Sequence, residues 1–121
     1  MAKILVVDDS PTQLTNLVKI VQGEGHEGIT ATNGMEGIEK AREEKPDLIL
    51  RDVVMPELNG FQATRKINKD AELGGIPVIL VTTKDQETDK VWGTRQGAKD
   101  YLTKPVDEST LIKTLKTVLG S

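Results

Sequence analysis

Short apolar runs alternate along the chain with segments whose apolar residues recur at helical spacing. Such runs lie at residues 3–8, 47–52 and 77–82, while residues 27–32 form a weaker strand segment and residues 100–104 a fifth one. Continuous apolar runs bounded by polar residues are typical of strands that are buried on both faces of a parallel sheet. The pattern therefore predicts five strands, each followed by a helix, joined by short connections.

Capping sequences predict where several of the helices begin. Ser10 and Asn33 each stand three residues before a glutamine or glutamate, which is a capping-box spacing, and Asp107 precedes the last apolar helical segment. The same spacing over residues 83–86 predicts a fourth helix that is capped by Thr83 and ends near residue 96. A third helix is expected over residues 61–69.

The helical spacing also predicts which side chains are buried. The second helix is expected to bury Met35, Ile38 and Ala41. Trp92 is expected to be a partly buried packing residue of the fourth helix. The last helix is expected to present one apolar face, formed by Leu111, Ile112, Leu115, Val118 and Leu119.

These elements predict an α/β fold: a doubly wound, five-stranded parallel sheet with five helices. The length of 121 residues suits one compact domain, so we expect residues 1–121 to form a single domain without an output domain. In such sheets, ligands bind in the crevice at the carboxyl ends of the strands.

Composition narrows the function classes. The chain has no cysteine, which suits a reducing compartment and excludes disulfides and thiolate metal sites. Its net charge of −3 and its scarcity of aromatic residues argue against nucleic-acid binding. The first apolar run is far too short for a signal peptide or a membrane span. We therefore expect a cytoplasmic protein that neither inserts into membranes nor binds nucleic acid.

Chemically coherent side chains follow the predicted strands. Asp8 and Asp9 follow the first strand, and Asp52, Thr82 and Lys104 close the third, fourth and fifth strands. Mg²⁺ prefers oxygen ligands and is usually held by one or two carboxylates together with phosphate and water. Carboxylates crowded at one crevice repel each other, and a bound cation relieves that repulsion. The set predicts a site for Mg²⁺ and a phosphoryl group, with Asp52 as a carboxylate nucleophile.

At these residues the chain resembles the response-regulator receiver domain, the CheY-like, flavodoxin-like (βα)5 fold of two-component signalling. The resemblance covers essentially the whole chain, and its short motifs are specific because they occur together in the right order. The motifs are Val6–Ser10, Asp52–Pro56, Asn59–Gly60, Val81–Thr82 and Asp100–Pro105.

The resemblance implies a role for each site residue. Asp52 is the phosphoacceptor, and Asp8, Asp9, Asp52 and the backbone carbonyl of Val54 hold Mg²⁺. Such a domain is not a conventional enzyme because it is its own substrate. It catalyses its own phosphorylation from a phosphohistidine donor and its own dephosphorylation. Its implied donor is a histidine kinase or a phosphotransfer domain.

The resemblance also implies a conformational switch. Thr82 and Lys104 contact the phosphoryl group, Tyr101 is the rotating switch aromatic, and the Lys104–Pro105 peptide bond is cis. A downstream protein reads the surface made by the fourth helix, the fifth strand and the last helix. Residues 59–65 and 82–93 look most like stand-alone PilH-type regulators, which implies a pathway controlling type IV pilus twitching motility.

Arg51 departs from the receiver pattern, in which the apolar run usually continues to the acceptor aspartate. A cation beside the acids would compete with Mg²⁺ and lower the pKa values of the carboxyl groups. The alternative is that strand alternation turns the side chain away from Asp52 and that its long stem carries the guanidinium to solvent. The second account is the expectation from sequence.

Other functions fit the sequence less well. A phosphatase of the haloacid-dehalogenase kind needs a second aspartate two residues after its nucleophile, where Val54 stands. A flavodoxin-like cofactor site or a dinucleotide site needs a hydroxyl- or glycine-rich phosphate loop after the first strand, where two aspartates stand instead. A harder rival is a receiver-fold interaction module that no longer switches, with Arg51 perturbing its site.

Overall fold

The computed structural model of the chain describes residues 2–52, 65–67, 69–70, 73–83 and 86–120. Val54 and the Asn59–Gly60 motif lie outside the described residues, and so does most of the helix predicted over 61–69. Residues 65–67 are helical, and the carbonyl of Lys66 accepts a hydrogen bond from the Asp70 N–H at 3.1 Å.

The strands form one sheet in the order β2-β1-β3-β4-β5, and every neighbouring pair is parallel. They are β1 (Lys3–Val7), β2 (Glu27–Ala31), β3 (Leu48–Arg51), β4 (Val78–Thr82) and β5 (Asp100–Thr103). The helices are α1 (Pro11–Gly23), α2 (Gly34–Glu44), α3 (residues 65–67), α4 (Glu87–Arg95) and α5 (Glu108–Leu119). The predicted doubly wound α/β fold is confirmed.

The two faces of the sheet each carry a buried layer because alternate strand residues point to opposite sides. On one face, β1 and β3 contribute Leu5, Val7 and Ile49, which pack against Ile38 of α2 and Ile67 of α3. The other face packs against α1 and α5. Its buried residues include Ile4, Val6, Leu48, Leu50, Leu14, Leu17, Val21, Leu111 and Leu115.

Helix starts follow the predicted caps at three positions. The side chains of Ser10, Asn33 and Asp107 accept hydrogen bonds from backbone N–H groups in the first turns of α1, α2 and α5. The predicted cap at Thr83 is wrong. The N-cap of α4 is Gln86, whose carbonyl accepts from the N–H groups of residues 89 and 90, so the helix begins later than predicted.

Some predictions of burial are also wrong. Met35 is 46% exposed and is not a core residue, and Trp92 is 50% exposed, which leaves it more open than the partly buried packing residue that the sequence predicted. Met35 lies in the first turn of α2 and faces a groove rather than the sheet, whereas Ile38 and Ala41 are buried as predicted. On α5, Leu111 and Leu115 are buried, while Ile112, Val118 and Leu119 are only half-buried at the margin of the core.

Within the described part of the chain, no helix combines the length and the apolar character that a membrane crossing requires.

Candidate functional site

The first two carboxylates of the site are fixed by the sheet itself. The N–H of Asp8 donates to the carbonyl of Ala31 at 3.1 Å, and the N–H of Asp52 donates to the carbonyl of Val7 at 3.1 Å. These bonds continue the β1–β2 and β1–β3 ladders past the strand ends. Asp8 and Asp52 are therefore held on neighbouring strands, and both are buried, with 1% and 8% of their surface exposed.

Lys104 joins these two carboxylates. Its N–H donates to the carbonyl of Thr82 at 2.8 Å, which holds the residue beside the end of β4. Its Nζ donates to Oδ2 of Asp8 at 2.5 Å and to Oδ2 of Asp52 at 2.8 Å. The Lys104–Pro105 peptide bond is cis, as the resemblance implies. One ammonium thus bridges two acids from different strands.

The environment of Lys104 favours its charged form. Burial is the largest single influence and lowers its pKa, but the hydrogen bonds and the negative charges of Asp52 and Asp8 together outweigh it. The pKa of Lys104 is therefore raised above its ordinary value, and the group is an ammonium at neutral pH. It offsets much of the repulsion that the sequence predicts between the carboxylates.

The second oxygen of Asp8 is also engaged. Oδ1 accepts a hydrogen bond from the N–H of Ser10 at 2.9 Å, which ties the carboxylate to the start of α1. Because Ser10 is also the N-cap of α1, the same residue fixes both the helix and the acid. The orientation of Asp8 is thus set by the start of α1.

The carboxylates at the strand ends determine whether the site fits Mg²⁺. Asp9 is exposed at the surface, and among the described residues no three acidic or histidine side chains lie close enough together to hold a metal ion. Asp8 and Asp52 nevertheless supply two buried carboxylates from adjacent strands, which is the usual protein contribution to a Mg²⁺ site. The pair fits Mg²⁺; Asp9 and Val54 as ligands stay predictions.

Thr82 and Tyr101 lie on the neighbouring strands β4 and β5. Thr82 is fully buried at the last position of β4, beside Thr103 in the strand register. Tyr101 pairs with Leu80 and is half-buried against the core layer under α2 and α3. The two residues flank the strand ends that carry Lys104 and Asp52; their switching roles stay predictions.

Arg51 is the largest departure from the sequence-based expectation. Its side chain is not carried to solvent: only 1% of the residue is exposed. It pairs in register with Val7 and Leu80 on the face that packs against α2. Within the described residues, none of its three guanidinium nitrogens has a hydrogen-bond partner. Burial lowers the pKa of Arg51 to about 10, and the negative charge of Asp52 opposes that effect.

The reason for this error lies in the sheet. Strand alternation does turn Arg51 away from Asp52, but both faces of a parallel sheet are covered by helices. The side chain therefore enters the core beneath α2, where a Cβ placed on Gly37 would lie 3.7 Å from its Nη1. The sequence shows that Arg51 departs from the receiver pattern, but it does not predict that the side chain is buried.

Residues 4–116 match the family model described as the response regulator receiver domain. The chain belongs to this receiver domain family. Receiver domains accept phosphate from histidine kinases and interact with downstream effectors, and they are not conventional enzymes. This confirms the resemblance seen in the motifs.

Two relatives show which receiver-domain proteins this chain resembles. It is 64% identical over 120 residues to Protein PilH of Pseudomonas aeruginosa, covering 99% of both chains. It is 39% identical over 117 residues to the alkaline phosphatase synthesis transcriptional regulatory protein PhoP of Bacillus subtilis, covering 97% of this chain and 48% of that protein. The predicted likeness to PilH-type regulators is confirmed.

Solved structures agree with the fold of this receiver domain. The chemotaxis response regulator CheY4 of Vibrio cholerae superposes with a TM-score of 0.91 at 35% identity, over 98% of each chain. The receiver domain of sensor histidine kinase PA1611 from Pseudomonas aeruginosa superposes with a TM-score of 0.90 at 28% identity, over 99% of this chain and 98% of that one. That protein has a magnesium ion coordinated in its active site cleft.

Proposed function

We propose that the chain is a response regulator whose Asp52 accepts a phosphoryl group from the phosphohistidine of a histidine kinase or phosphotransfer domain. The observation that carries this proposal is the bridge from Lys104 Nζ to the carboxylates of Asp8 and Asp52. The bridge supports a preformed site in which a nucleophile, a neighbouring acid and an ammonium already lie within hydrogen-bond distance.

In the proposed reaction, a carboxylate oxygen of Asp52 attacks phosphorus and the P–N bond to the donor histidine breaks. The donor imidazole keeps the electron pair of that bond and takes up a proton, and Asp52 becomes an aspartyl phosphate. Lys104 stays charged and stabilises the phosphoryl oxygens, while the hydroxyl of Thr82 donates to one of them. A Mg²⁺ ion held by Asp8 and Asp52, with Asp9 and the carbonyl of Val54, would neutralise further negative charge there.

The proposal extends to the fate of the phosphoryl group. Hydrolysis of the aspartyl phosphate returns Asp52 to its carboxylate, so the protein both gains and loses its signal at one residue. While the group is present, Thr82 moves toward it and Tyr101 turns inward. The surface formed by α4, β5 and α5 then changes shape and binds a different partner protein. The exposed Val91 and Trp92 of α4 support a contact surface there.

The identity to PilH supports a narrower proposal about the pathway. We propose that the protein works in the cytoplasm and that its receiver domain regulates twitching motility through type IV pili. Expression of the chain in a Pseudomonas aeruginosa strain that lacks PilH tests this pathway. Restored twitching with the wild type but not with Asp52→Asn is the expected result, and equal restoration by both would contradict a phosphorylation-dependent role.

The acceptor chemistry is tested by intact mass after incubation with acetyl phosphate, with and without Mg²⁺. The wild type should gain one phosphoryl group only when Mg²⁺ is present, and Asp52→Asn should gain none. Asp89→Asn, which removes a carboxylate on α4, is the matched control and should be labelled like the wild type. Labelling that survives Asp52→Asn would overturn Asp52 as the acceptor.

The buried Arg51 favours a second candidate function, a receiver-fold interaction module that is not phosphorylated. A cation enclosed next to Asp52 weakens both Mg²⁺ binding and nucleophilic attack by that carboxylate. In the same mass assay, this candidate predicts no adduct with the wild type and an adduct with Arg51→Met. An adduct with the wild type would exclude it.

A further inference from the structure

A groove between α2 and α3 is not used by the proposed phosphorylation site. It has a volume of about 610 Å³, roughly twenty times the ~30 Å³ that a water molecule occupies in the liquid. Its apolar lining comes from Met35 and Ile38 of α2 and from Leu73. Several apolar side chains of another molecule would fit in this space.

The groove follows the helices rather than a single point on the surface. Met35, Ile38 and Arg42 are three and four residues apart, which places them on one side of α2. Arg65 and Lys69 are four residues apart on the opposite wall. A concave strip along one side of α2, with basic residues on its other wall, matches the way in which a helix packs into a groove.

The apolar part of the groove has one exposed side chain, Met35, above the buried Ile38 and Leu73. Met35 is among the few large apolar side chains that are strongly exposed in the described residues, at 46%. Methionine adapts its shape to different partners because it is unbranched and flexible. Its exposure beside Ile38 and Leu73 therefore favours a surface that is covered when a partner binds.

The rim of the groove is basic in a chain whose net charge is −3. Arg42 is already paired with Asp70, with Nη2 at 2.9 Å from Oδ2, and this ion pair links α2 to the segment after α3. Arg65, Lys66 and Lys69 are exposed, and no ion pair to them is found within the described part of the chain. Among the described residues, the rim thus presents three cations without an ion pair.

We propose that this groove docks an acidic amphipathic helix of a partner protein. Apolar side chains of that helix enter the space above Ile38 and Leu73, and its carboxylates face Arg65, Lys66 and Lys69. Charge complementarity of this kind sets orientation and speeds association more than it adds affinity. The apolar contacts supply most of the binding free energy.

The shape and charge of the groove disfavour other occupants. Membrane surfaces bind clusters of four to eight basic residues, whereas here three cations, unpaired within the described residues, border a concavity. A nucleic acid would face the repulsion of a chain with net negative charge and a groove without an aromatic residue in its described lining. A protein helix satisfies both the apolar floor and the basic rim.

The test uses a fluorescein-labelled synthetic helix of about 18 residues, with leucines at positions i, i+3, i+4 and i+7 and glutamates on its flanks. Fluorescence anisotropy of the peptide against the intact protein should give a saturable curve. A peptide with lysines in place of the glutamates should bind at least tenfold more weakly. Equal binding of the two peptides would overturn the proposal, and so would no binding of the acidic one.

Surface variants locate the binding. The double variant Arg65→Glu with Lys69→Glu should bind the acidic peptide at least tenfold more weakly than the wild type. Met35→Ser should bind it several-fold more weakly. The matched control, Lys113→Glu with Lys116→Glu on the exposed face of α5, makes the same change in net charge and should stay within twofold of the wild type. Equal loss in both double variants would mean that only overall charge matters, which would overturn the groove.

Two further readouts separate this proposal from its rivals. Asp52→Asn should bind the peptide like the wild type, so a failure of phosphorylation and a failure of docking are distinguishable. Vesicles with anionic lipid, added in place of the peptide, should not bind the wild type. Vesicle binding by the wild type that is lost in Arg65→Glu with Lys69→Glu would overturn the proposed occupant. A dimer of the wild type in sedimentation that is lost in the same double variant would also overturn it.

Discussion

Arg51 and Gly37 meet across the interface between β3 and α2, where a Cβ on Gly37 would lie 3.7 Å from Nη1 of Arg51. The same Cβ would lie 3.0 and 3.2 Å from the two methyl groups of Val7. Because position 37 carries no side chain, α2 packs close to the sheet over both residues. This close packing encloses the guanidinium.

Gly37→Ala should therefore destabilise the protein, although alanine favours helices by about 1 kcal/mol over glycine. The added methyl would crowd Val7, which is fully buried, and overpacking of this kind costs about 1–3 kcal/mol. We expect a net loss of about 1 kcal/mol in urea denaturation. Gly23→Ala is the control, since nothing lies within 4 Å of its Cβ position, and it should be neutral or stabilising. Similar results for the two variants would contradict the packing account.

Arg51→Met should stabilise the metal-free protein. A fall in the pKa of Arg51 from its ordinary value to about 10 means that its charged form is disfavoured in the folded state, on the order of 3 kcal/mol at neutral pH. Methionine removes this cost and keeps an apolar side chain of similar length. We expect a gain of about 1–3 kcal/mol in the free energy of unfolding, whereas Arg95→Met on the exposed side of α4 should change it little.

The pH dependence follows from the same shift. The unfolded chain binds the proton of Arg51 more tightly than the folded chain, so this cost is full below about pH 10 and fades only at higher pH. The gain from Arg51→Met should consequently be the same at pH 6 and at pH 9. A gain that changes with pH across this range would point to another titrating group.

Arg51→Met should also bind Mg²⁺ more tightly. The guanidinium is a positive charge that interacts with Asp52, and it is screened little because it is buried. Its removal should raise Mg²⁺ affinity several-fold in isothermal titration calorimetry, with Arg95→Met again unchanged. Equal affinities in the wild type and Arg51→Met would show that the carboxylate site is insulated from the α2 side of the sheet.

Lys104→Met should destabilise the metal-free protein by about 2–3 kcal/mol at pH 7, because it leaves two buried carboxylates without their shared cation. The pKa of Lys104 is raised, so its contribution is complete below the ordinary lysine value and would be lost only in strongly alkaline solution. Mg²⁺ should restore more stability to this variant than to the wild type in thermal denaturation. Lys113→Met is the exposed control; a loss as large as that in Lys104→Met would refute the bridge as the cause.

Asp107→Ala should weaken the start of α5. The hydroxyl of Ser109 and the N–H and hydroxyl of Thr110 donate to the Asp107 carboxylate and lower its pKa. The stabilisation is therefore present above the ordinary pKa of aspartate and is lost as the pH falls through the lower, folded-state value. The difference in melting temperature between wild type and variant should be clear at pH 7 and should vanish in strong acid. A difference that persists there would contradict the carboxylate cap.

Much of the fold could be predicted because local signals and tertiary packing agree. The caps at Ser10, Asn33 and Asp107 are local, and the apolar runs report strands whose two faces are both covered. The start of α4 could not be predicted in this way, since the spacing from Thr83 also fits a capping box. Capping sequences compete, and only the path of the chain after β4 decides between them.

The residues of the candidate site could be predicted from their positions at the strand ends, but the contacts between them could not. The strand order predicts that Asp8, Asp52 and Lys104 meet at one sheet edge, but not that Lys104 bridges the two acids. The burial of Arg51 required knowledge of what covers the strand, which alternation alone does not give. The groove beside α2 depends on the distance between two helices, for which the sequence carries no direct signal.

The bridge made by Lys104 has a consequence for synthesis. Lys104 is 96 residues from Asp8 and 52 residues from Asp52 along the chain, so the polar centre closes only after the last strand has been made. A nascent chain that has released β1 to β4 carries both acids with no ammonium between them. Premature phosphorylation of a chain that lacks β5 is thereby disfavoured, since the acceptor gains its positive partner only once Lys104 has been added.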